Sequence, residues 1–576
     1  MTTTLTTDFD INLDTDVLVI GGGAAGTWAA WSAASQGASV ILVDKGYCGT
    51  TGCAAASGNG VWYVPPEPAA RLEAMTSRES LGGFLSDRRW MSRVLDRTYT
   101  NVNLLADWGY PFPVDKNGEP VRISLQGADY MRLMRRHIKR AGVRVLDHSP
   151  ALELLVDDEG AVGGARGVNR QTNGKWIVRS HSTIIATGGC AFLSKALGCN
   201  VLTGDGYLMA AEAGAEMSGM EFSNAYGISP AFSSVTKTLF YNWATFTYAD
   251  GTIIPGAGSQ KGRSVIAKTL LNQPVYAILD KATEQMQSSM RLSQPNFFLP
   301  FDRTGINPFT QRFEITLRLE GTVRGTGGIR IIDDNCATSI SGLYAAGDAA
   351  TRELICGAFT GGGSHNAAWA ISSGYWSGEA AAEHALRLSY GTNRRRLKPT
   401  GQAALQPTSK RSSIYTAEEF IKAVQAEVFP YDKNYFRSEA NLSKSIGVLQ
   451  GLWTEISTSR VEQKQLVRWR EIAAMVATAR WMYASACFRK ETRGMHKHLD
   501  YPKQDPDQQH YLVSGGLDQV WVRTQQLLHN PQFPNLKPKN LKSSKGGLTH
   551  NLKQYNHPVN PPLSPLPPQP SKTKQE

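Results

Sequence analysis

The sequence predicts an α/β fold, on three observations. An apolar run near the N-terminus ends in clustered glycines and passes into a helix of small residues. A second apolar run follows and ends on an acid, and two later β-like runs also lead into glycine. Around residues 468–487 the apolar spacing changes to that of a buried helix, so a helical region is expected to follow the α/β part.

The first run is Asp16-Val17-Leu18-Val19-Ile20, which ends at Gly21-Gly22-Gly23-Ala24-Ala25-Gly26. The small-residue helix continues through Ser35, and Ser39-Val40-Ile41-Leu42-Val43 then ends at Asp44-Lys45. Strand, glycine turn, helix, strand and acid in this order make a Rossmann-like dinucleotide unit. Gly21 permits a tight turn, Gly23 lets the backbone approach a pyrophosphate, and Gly26 allows close packing of helix on strand. The N-terminus at Ala24 and Ala25 adds partial positive charge. Asp44 is placed to accept from a ribose hydroxyl, which favours FAD or NAD over NADP.

Further strands are expected at Ser182–Ala186 and Leu343–Ala346. In the helical region, Ile472, Met475, Val476, Ala479, Met482, Tyr483 and Ala486 fall at i, i+3, i+4 spacing and should form a buried stripe. The basic stretch between Leu388 and Thr416 reads as a linker or surface loop. After Pro531 the Pro, Lys, Ser and Gln content cannot bury enough apolar surface to offset its ordering entropy, and disorder is expected.

The formal charge is +12, but the segment from Trp521 onward has eight Lys/Arg against one acid and supplies +7 of it. This argues against a nucleic-acid protein. The tail is either a solvated segment or a contact for acidic partners or lipid headgroups. The seven cysteines include no C-x-x-C pair, which argues against an iron–sulfur cluster, a zinc site or a disulfide framework in this chain, so no metal is expected. No apolar run approaches membrane-spanning length, and Met1–Asp16 lacks the pattern of a secretory signal. A cytoplasmic protein is the expectation.

Beyond Asp44, five motifs occur in one order. They are Thr50–Gly60, containing Gly52, Cys53, Ser57, Gly58, Asn59 and Gly60; Ala186-Thr187-Gly188-Gly189; Thr203-Gly204-Asp205-Gly206; Gly342–Asp348; and Arg489–His496 with Asp500-Tyr501-Pro502. Over roughly residues 15 to 510 this series resembles the flavoprotein subunits of fumarate reductase and succinate dehydrogenase, relatives of aspartate oxidase and the adenylylsulfate reductase alpha subunit. The resemblance implies FAD as the cofactor. It implies that Thr50–Gly60 runs beside the flavin, and that Gly347 and Asp348 meet the ribityl chain, where the family usually has Glu. Gly363 and Ser364 complete the implied cofactor set. Cys53 lies close to where membrane-bound relatives attach FAD through His; without that His, non-covalent FAD is implied, with a cysteinyl bond as the alternative.

The departures from the family bear on the substrate. Val323 stands where a substrate-holding His precedes a Gly-Gly pair, Cys356-Gly357 replaces an HG pair, and Phe359 or Thr360 replaces a carboxylate-binding Arg. No clear copy of the family's Arg-Gly-Glu-Gly proton-donor segment occurs between 225 and 325, where Arg263 is the nearest candidate. Losing a planar, bidentate Arg removes a carboxylate clamp that Thr cannot imitate. The resemblance therefore implies intact cofactor machinery and a substrate other than succinate, fumarate or aspartate.

Four residues are candidates for catalysis. Arg324 could supply positive charge to an anionic substrate, or be structural. His365 could act as acid or base, or cap a helix. Tyr226 could donate a proton, or be packed. Arg263 is the fourth. Cys356 would need a lowered pKa to act as a nucleophile.

The expected architecture is a Rossmann-like FAD-binding domain in two parts, 15–224 and 326–390, with a capping domain inserted at 225–325. A helical domain at 415–520 and a disordered tail at 531–576 follow. The expected function is a flavin-dependent dehydrogenase or reductase of a small molecule. One alternative is an adenylylsulfate-reductase-like subunit supplied by an iron–sulfur or ferredoxin-like partner. The other is an FAD-binding electron-transfer module without its own substrate.

Overall fold

The computed structural model describes residues 9–527 apart from 116, 237, 260–261, 361–363, 390–394 and 409–410. The expected disordered tail, 531–576, lies outside the described residues, as does part of the basic linker.

The first β-like run forms one end of the strand Ile11–Ile20, whose Val17, Leu18 and Val19 are fully buried. It pairs in parallel with Val40–Val43 on one side and with Lys175–Ile185 on the other. Arg144–Leu146 extends the sheet beyond Val40–Val43, and Leu343–Ala345 pairs in parallel with the end of Lys175–Ile185. An antiparallel meander, Ala151–Val156, Val162–Val168 and Lys175–Ile185, completes this eight-stranded sheet. Lys398–Pro399, within the stretch expected to be a linker, is its edge strand. All parallel strands deliver their C-terminal ends to one side, the place where such sheets hold ligands.

The helix Ala24–Ser35 packs along the long helix Ser364–Ser389. Their small residues set the spacing: a Cβ on Gly374 would come within 2.4 Å of the Ala25 carbonyl oxygen, and one on Gly378 within 2.2 Å of that of Ala29.

Residues 225–321 contribute a separate antiparallel sheet, ordered Ala225–Pro230, Phe313–Gly321, Val275–Ile278, Thr245–Thr247. A phenylalanine cluster, including Phe240, Phe297, Phe301 and Phe313, packs with it. Edge-to-face ring contacts of this kind give a small core much of its buried apolar area.

The helix Leu466–Phe488 differs from the one-sided stripe expected from the sequence. The seven stripe residues are fully buried, but so are Ala473, Ala474, Ala477, Thr478 and Trp481 around the rest of the surface. It is a central helix, and two of its arginines are paired: Arg470 forms a bidentate bond with Glu212, and Arg480 bonds Gln450. The region expected to be helical also contains a β-hairpin, Tyr511–Gly515 with Trp521–Gln525, whose first strand pairs with Met217–Ser218.

Candidate functional site

The glycine turn lies between the first strand and its helix, and each glycine there meets a different surrounding. Gly21 has φ 110°, and a Cβ on it would sit 2.4 Å from the Ala186 carbonyl oxygen. A Cβ on Gly26 would overlap the Gly21 carbonyl oxygen at 1.8 Å. A Cβ on Gly23, at the N-cap of the helix, would meet nothing within 4 Å. Ala24 and Ala25 follow as the first helical residues. Two glycines are thus demanded by the protein's own packing, and the third leaves space in front of the first helix amides, a cradle suited to a phosphate.

Ala186, Thr187 and Gly188 form the neighbouring strand end, where the Ala186 amide bonds the Ile20 carbonyl. Gly347 is anchored from both sides, its amide to Ser373 Oγ at 2.9 Å and its carbonyl from Trp369 Nε1 at 3.1 Å. Next to it, Asp348 lies 3.8 Å from Cys53 Sγ through Oδ2. The Thr50–Gly60 segment runs past this point. Asn59 braces it by donating to the carbonyls of Ala54 (2.9 Å) and Ser57 (3.2 Å). A Cβ on Gly52 or Gly58 would meet nothing within 4 Å. Gly58–Gly60 pairs with Ser124–Gln126, and Gly60 approaches Ser364, the first residue of the long helix. Gly363 lies outside the described residues. The fold thus brings the first-motif, second-motif and late-motif residues to one side of the sheet.

Three of the expected cofactor residues are engaged by the protein itself. Asp44 stands at its strand end, but it braces the turn and the following loop: Oδ2 accepts from the Gly22 amide at 2.6 Å, and Oδ1 from the Gly46 amide at 2.8 Å and Thr51 Oγ1 at 2.9 Å. Lys45 and Asp205 pair with each other at 2.7 Å, and Lys45 Nζ also reaches Glu471 at 2.7 Å. These charges join the nucleotide unit to the central helix Leu466–Phe488. Sequence spacing places such residues near the site; only the fold shows where their lone pairs and protons are used.

The catalytic candidates separate in the same way. The Tyr226 hydroxyl donates toward the carbonyls of Val428 (2.9 Å) and Phe429 (3.1 Å), and burial raises its phenol well above the ordinary range. Cys356 is buried and burial pushes its thiol up, opposite to the lowered pKa that a nucleophile needs. Arg324 pairs with Glu320 at 3.0 Å. Arg263 donates to the carbonyls of Tyr226 and Ser259, each at 3.0 Å, and its Nε has no partner among the described residues. Burial first, and the nearby Arg324 charge second, lower its pKa. Arg263 and Arg324 therefore form a pair of neighbouring cations beside Glu320. His365 is buried, with its ring against Trp62 (centroids 4.3 Å apart) and Nδ1 3.0 Å from Ser364 Oγ.

Val323 belongs to an apolar cluster with Ala191, Ala196, Cys199 and Leu202, against which Cys53 packs. The position therefore presents methyl groups rather than a donor.

Sequence reading missed two features here. Arg352, four residues beyond Asp348 and just before the short helix Glu353–Cys356, is buried and ion-paired with it; the Asp-x-x-x-Arg spacing was the available signal. Behind it lies a dry ionic network. Arg489 bonds Glu221 and Glu491, Arg493 bonds Glu491, and Ser218 donates to Glu353. Glu353 is pushed up to about 8 by burial, reinforced by the Glu221 charge.

Known proteins resemble this chain over most of its length. A family model described as an FAD binding domain matches residues 16–225, and one described as the fumarate reductase flavoprotein C-terminus matches residues 427–534. A polypeptide of the CoM/CoB fumarate reductase of Methanothermobacter marburgensis is 24% identical over 540 residues, covering 85% of this chain and 95% of the relative. An L-aspartate oxidase of Streptomyces coelicolor is 23% identical over 542 residues, covering 85% and 89%. Among solved structures, the quinol fumarate reductase of E. coli superimposes with a TM-score of 0.77 at 19% identity, over 92% of this chain and 98% of that one. Adenylylsulfate reductase from Archaeoglobus fulgidus gives 0.70 at 18% identity, over 90% and 96%. At these identities the structural likeness shows the shared fold.

Proposed function

Because the chain belongs to the flavoprotein family of fumarate reductase and succinate dehydrogenase and is an FAD-dependent oxidoreductase, we propose that it moves a hydride between FAD and an anionic small molecule other than succinate or fumarate. The observation that carries this reading is the apolar environment of Val323 beside the cationic pair Arg263 and Arg324. A single anionic group can be met by the pair, but the imidazole and the carboxylate-binding guanidinium that the family resemblance implies are replaced by Val323 and by Phe359 or Thr360.

Bound FAD supplies the two-electron chemistry. The chain's residues fit it. Gly23 and the amides of Ala24 and Ala25 would cradle the pyrophosphate, Asp348 would accept from the ribityl chain, and Ser57–Gly60 with Ser364 would flank the flavin. The lack of a His at Gly52-Cys53 supports FAD held without a covalent bond, with a cysteinyl bond through Cys53 as the alternative. Residues 225–325 would cap the site and exclude water, while Arg324 orients the substrate and His365, buried beside Trp62, would hold a proton at Nε2.

A second reading has electrons arriving from an iron–sulfur partner, favoured by the same loss of the dicarboxylate-holding residues at Val323 and at Phe359 or Thr360. Among the described residues no group of three His, Cys, Asp or Glu side chains could hold a metal. No helix among them is long and apolar enough to cross a membrane.

The test is an absorbance spectrum of the purified protein, followed by anaerobic reduction and a panel of oxidised acceptors. Acid-released FAD, reoxidised by an anionic acceptor and not by fumarate, is the expected result. Rapid reoxidation by fumarate refutes the reading, and a copurifying iron–sulfur protein favours the second one. Reduced protein that no small acceptor reoxidises would point to an electron-transfer module.

A further inference from the structure

Arg352 has no part in the function proposed above, yet it joins the two halves of the site. Its side chain is 1% exposed. Nη1 is ion-paired with Asp348 Oδ1. Nη2 donates to the carbonyls of Thr322 at 3.0 Å and Val323 at 3.1 Å, and to that of Gly325. Nε has no partner among the described residues. The loop so gripped carries Arg324, whose side chain leaves in another direction, toward Glu320.

We propose that Arg352 is a positioning residue of the redox site: its guanidinium fixes the ionised carboxylate of Asp348 for the cofactor and holds the Thr322–Gly325 loop at a set distance from it. The inference rests on reading Asp348 as a cofactor contact. A buried guanidinium needs a counter-charge, and Asp348 is the carboxylate bonded to it. Reciprocally, the guanidinium holds the carboxylate in one orientation, with Oδ1 on Arg352 and Oδ2 turned toward Cys53.

The three carbonyls make the second half of the case. Carbonyls of a tight loop converge on one amino group because the loop turns around it, and the planar guanidinium satisfies them while its other arm holds the acid. Tyr207 repeats the connection with neutral groups, its hydroxyl lying 2.7 Å from the Asp348 carbonyl oxygen and 2.9 Å from Thr322 Oγ1. Asn366 also donates to the Val323 carbonyl at 3.1 Å, so the N-terminal turn of the long helix shares the same anchor. Cofactor-side acid and substrate-side loop therefore move as one body, with Arg352 as its charged link.

The experiment uses the full chain reconstituted with FAD and compares R352M, R352K, D348N and D348N/R352M. FAD affinity is read by flavin fluorescence, the midpoint potential by equilibration with redox dyes, and apoprotein stability by thermal unfolding as a control. R352M is expected to weaken FAD at least tenfold and to lower the potential, because a buried cation favours the more negatively charged, reduced cofactor. R352K is expected to restore the potential and not the affinity, since it returns the charge without the fork. On the D348N background the tenfold effect of R352M is expected to shrink below threefold, as it must if the pair acts as a unit. R352M binding FAD within twofold of wild type at an unchanged potential overturns the proposal. So does a loss that persists undiminished on D348N. If R352M does not fold, R352K with D348N/R352K carries the same comparison. D348N with wild-type FAD affinity would sink the reading of Asp348 and this inference with it. Weakened D348N beside unaffected R352M would sink the inference alone.

Discussion

Replacing Gly23 by alanine separates cofactor binding from folding, because the two glycines flanking this site differ in what surrounds them. At Gly23, φ is −77°, an angle that alanine adopts without strain, and its methyl would meet no protein atom within 4 Å. Folding of the apoprotein should be unharmed, or raised by about 0.4–1 kcal/mol through the stiffer unfolded chain. The same methyl stands where a pyrophosphate must approach the helix amides. Losing one or two charge-assisted hydrogen bonds there, at about 1.5–3 kcal/mol each, weakens FAD by roughly tenfold to a hundredfold or more. Gly26→Ala is the contrasting control, since its methyl would sit 1.8 Å from the Gly21 carbonyl oxygen and must force helix from strand. Apoprotein unfolding followed by circular dichroism, and FAD titration followed by quenching of flavin fluorescence, give the two numbers. Gly23→Ala that binds FAD like wild type would refute the placement of the pyrophosphate. Gly23→Ala that destabilises the apoprotein as Gly26→Ala does would refute the open cradle.

Tyr226→Phe removes a hydroxyl whose partners are backbone carbonyls of Val428 and Phe429, so it should cost roughly 1 kcal/mol of stability and leave turnover within a few-fold of wild type; a hundredfold loss of kcat with unchanged stability would return it to the catalytic set. Glu353, pushed up to about 8 in the folded protein, binds more protons there than unfolded between its unfolded value near 4.5 and about 8. Its contribution to stability therefore falls as pH rises through that window, by a slope on the order of 1.4 kcal/mol per pH unit at most. Glu353→Gln should lose this slope, so that the difference in Tm between variant and wild type moves in the variant's favour from pH 5 to pH 8; a pH-independent difference would show that the carboxyl is ionised throughout.

The dinucleotide unit is legible in the sequence because its causes are local. A tight turn, an open helix N-terminus and a close helix–strand contact each require a particular glycine within six residues, and Gly21, Gly23 and Gly26 meet those needs one by one. The departures at Val323 and at Phe359 or Thr360 are legible for a related reason, since a side chain without an imidazole or a guanidinium lacks it in any fold. What the sequence could not show is how charges and hydroxyls are shared between distant segments. Lys45 finds Asp205 across 160 residues of chain, and Arg489 finds Glu221 across 268. Tyr226 lies in a strand, where one face looks to the site and the other to the core, and only the packed partner decides which. Periodicity makes the central helix look one-sided because it reports the strongest stripe, whereas the alanines and the paired Arg470 and Arg480 on its other faces are buried by neighbours from elsewhere in the chain. Local geometry follows from adjacent residues alone; the pairing of a buried charge follows from whichever segment the folded chain sets against it, and that is decided by the tertiary structure.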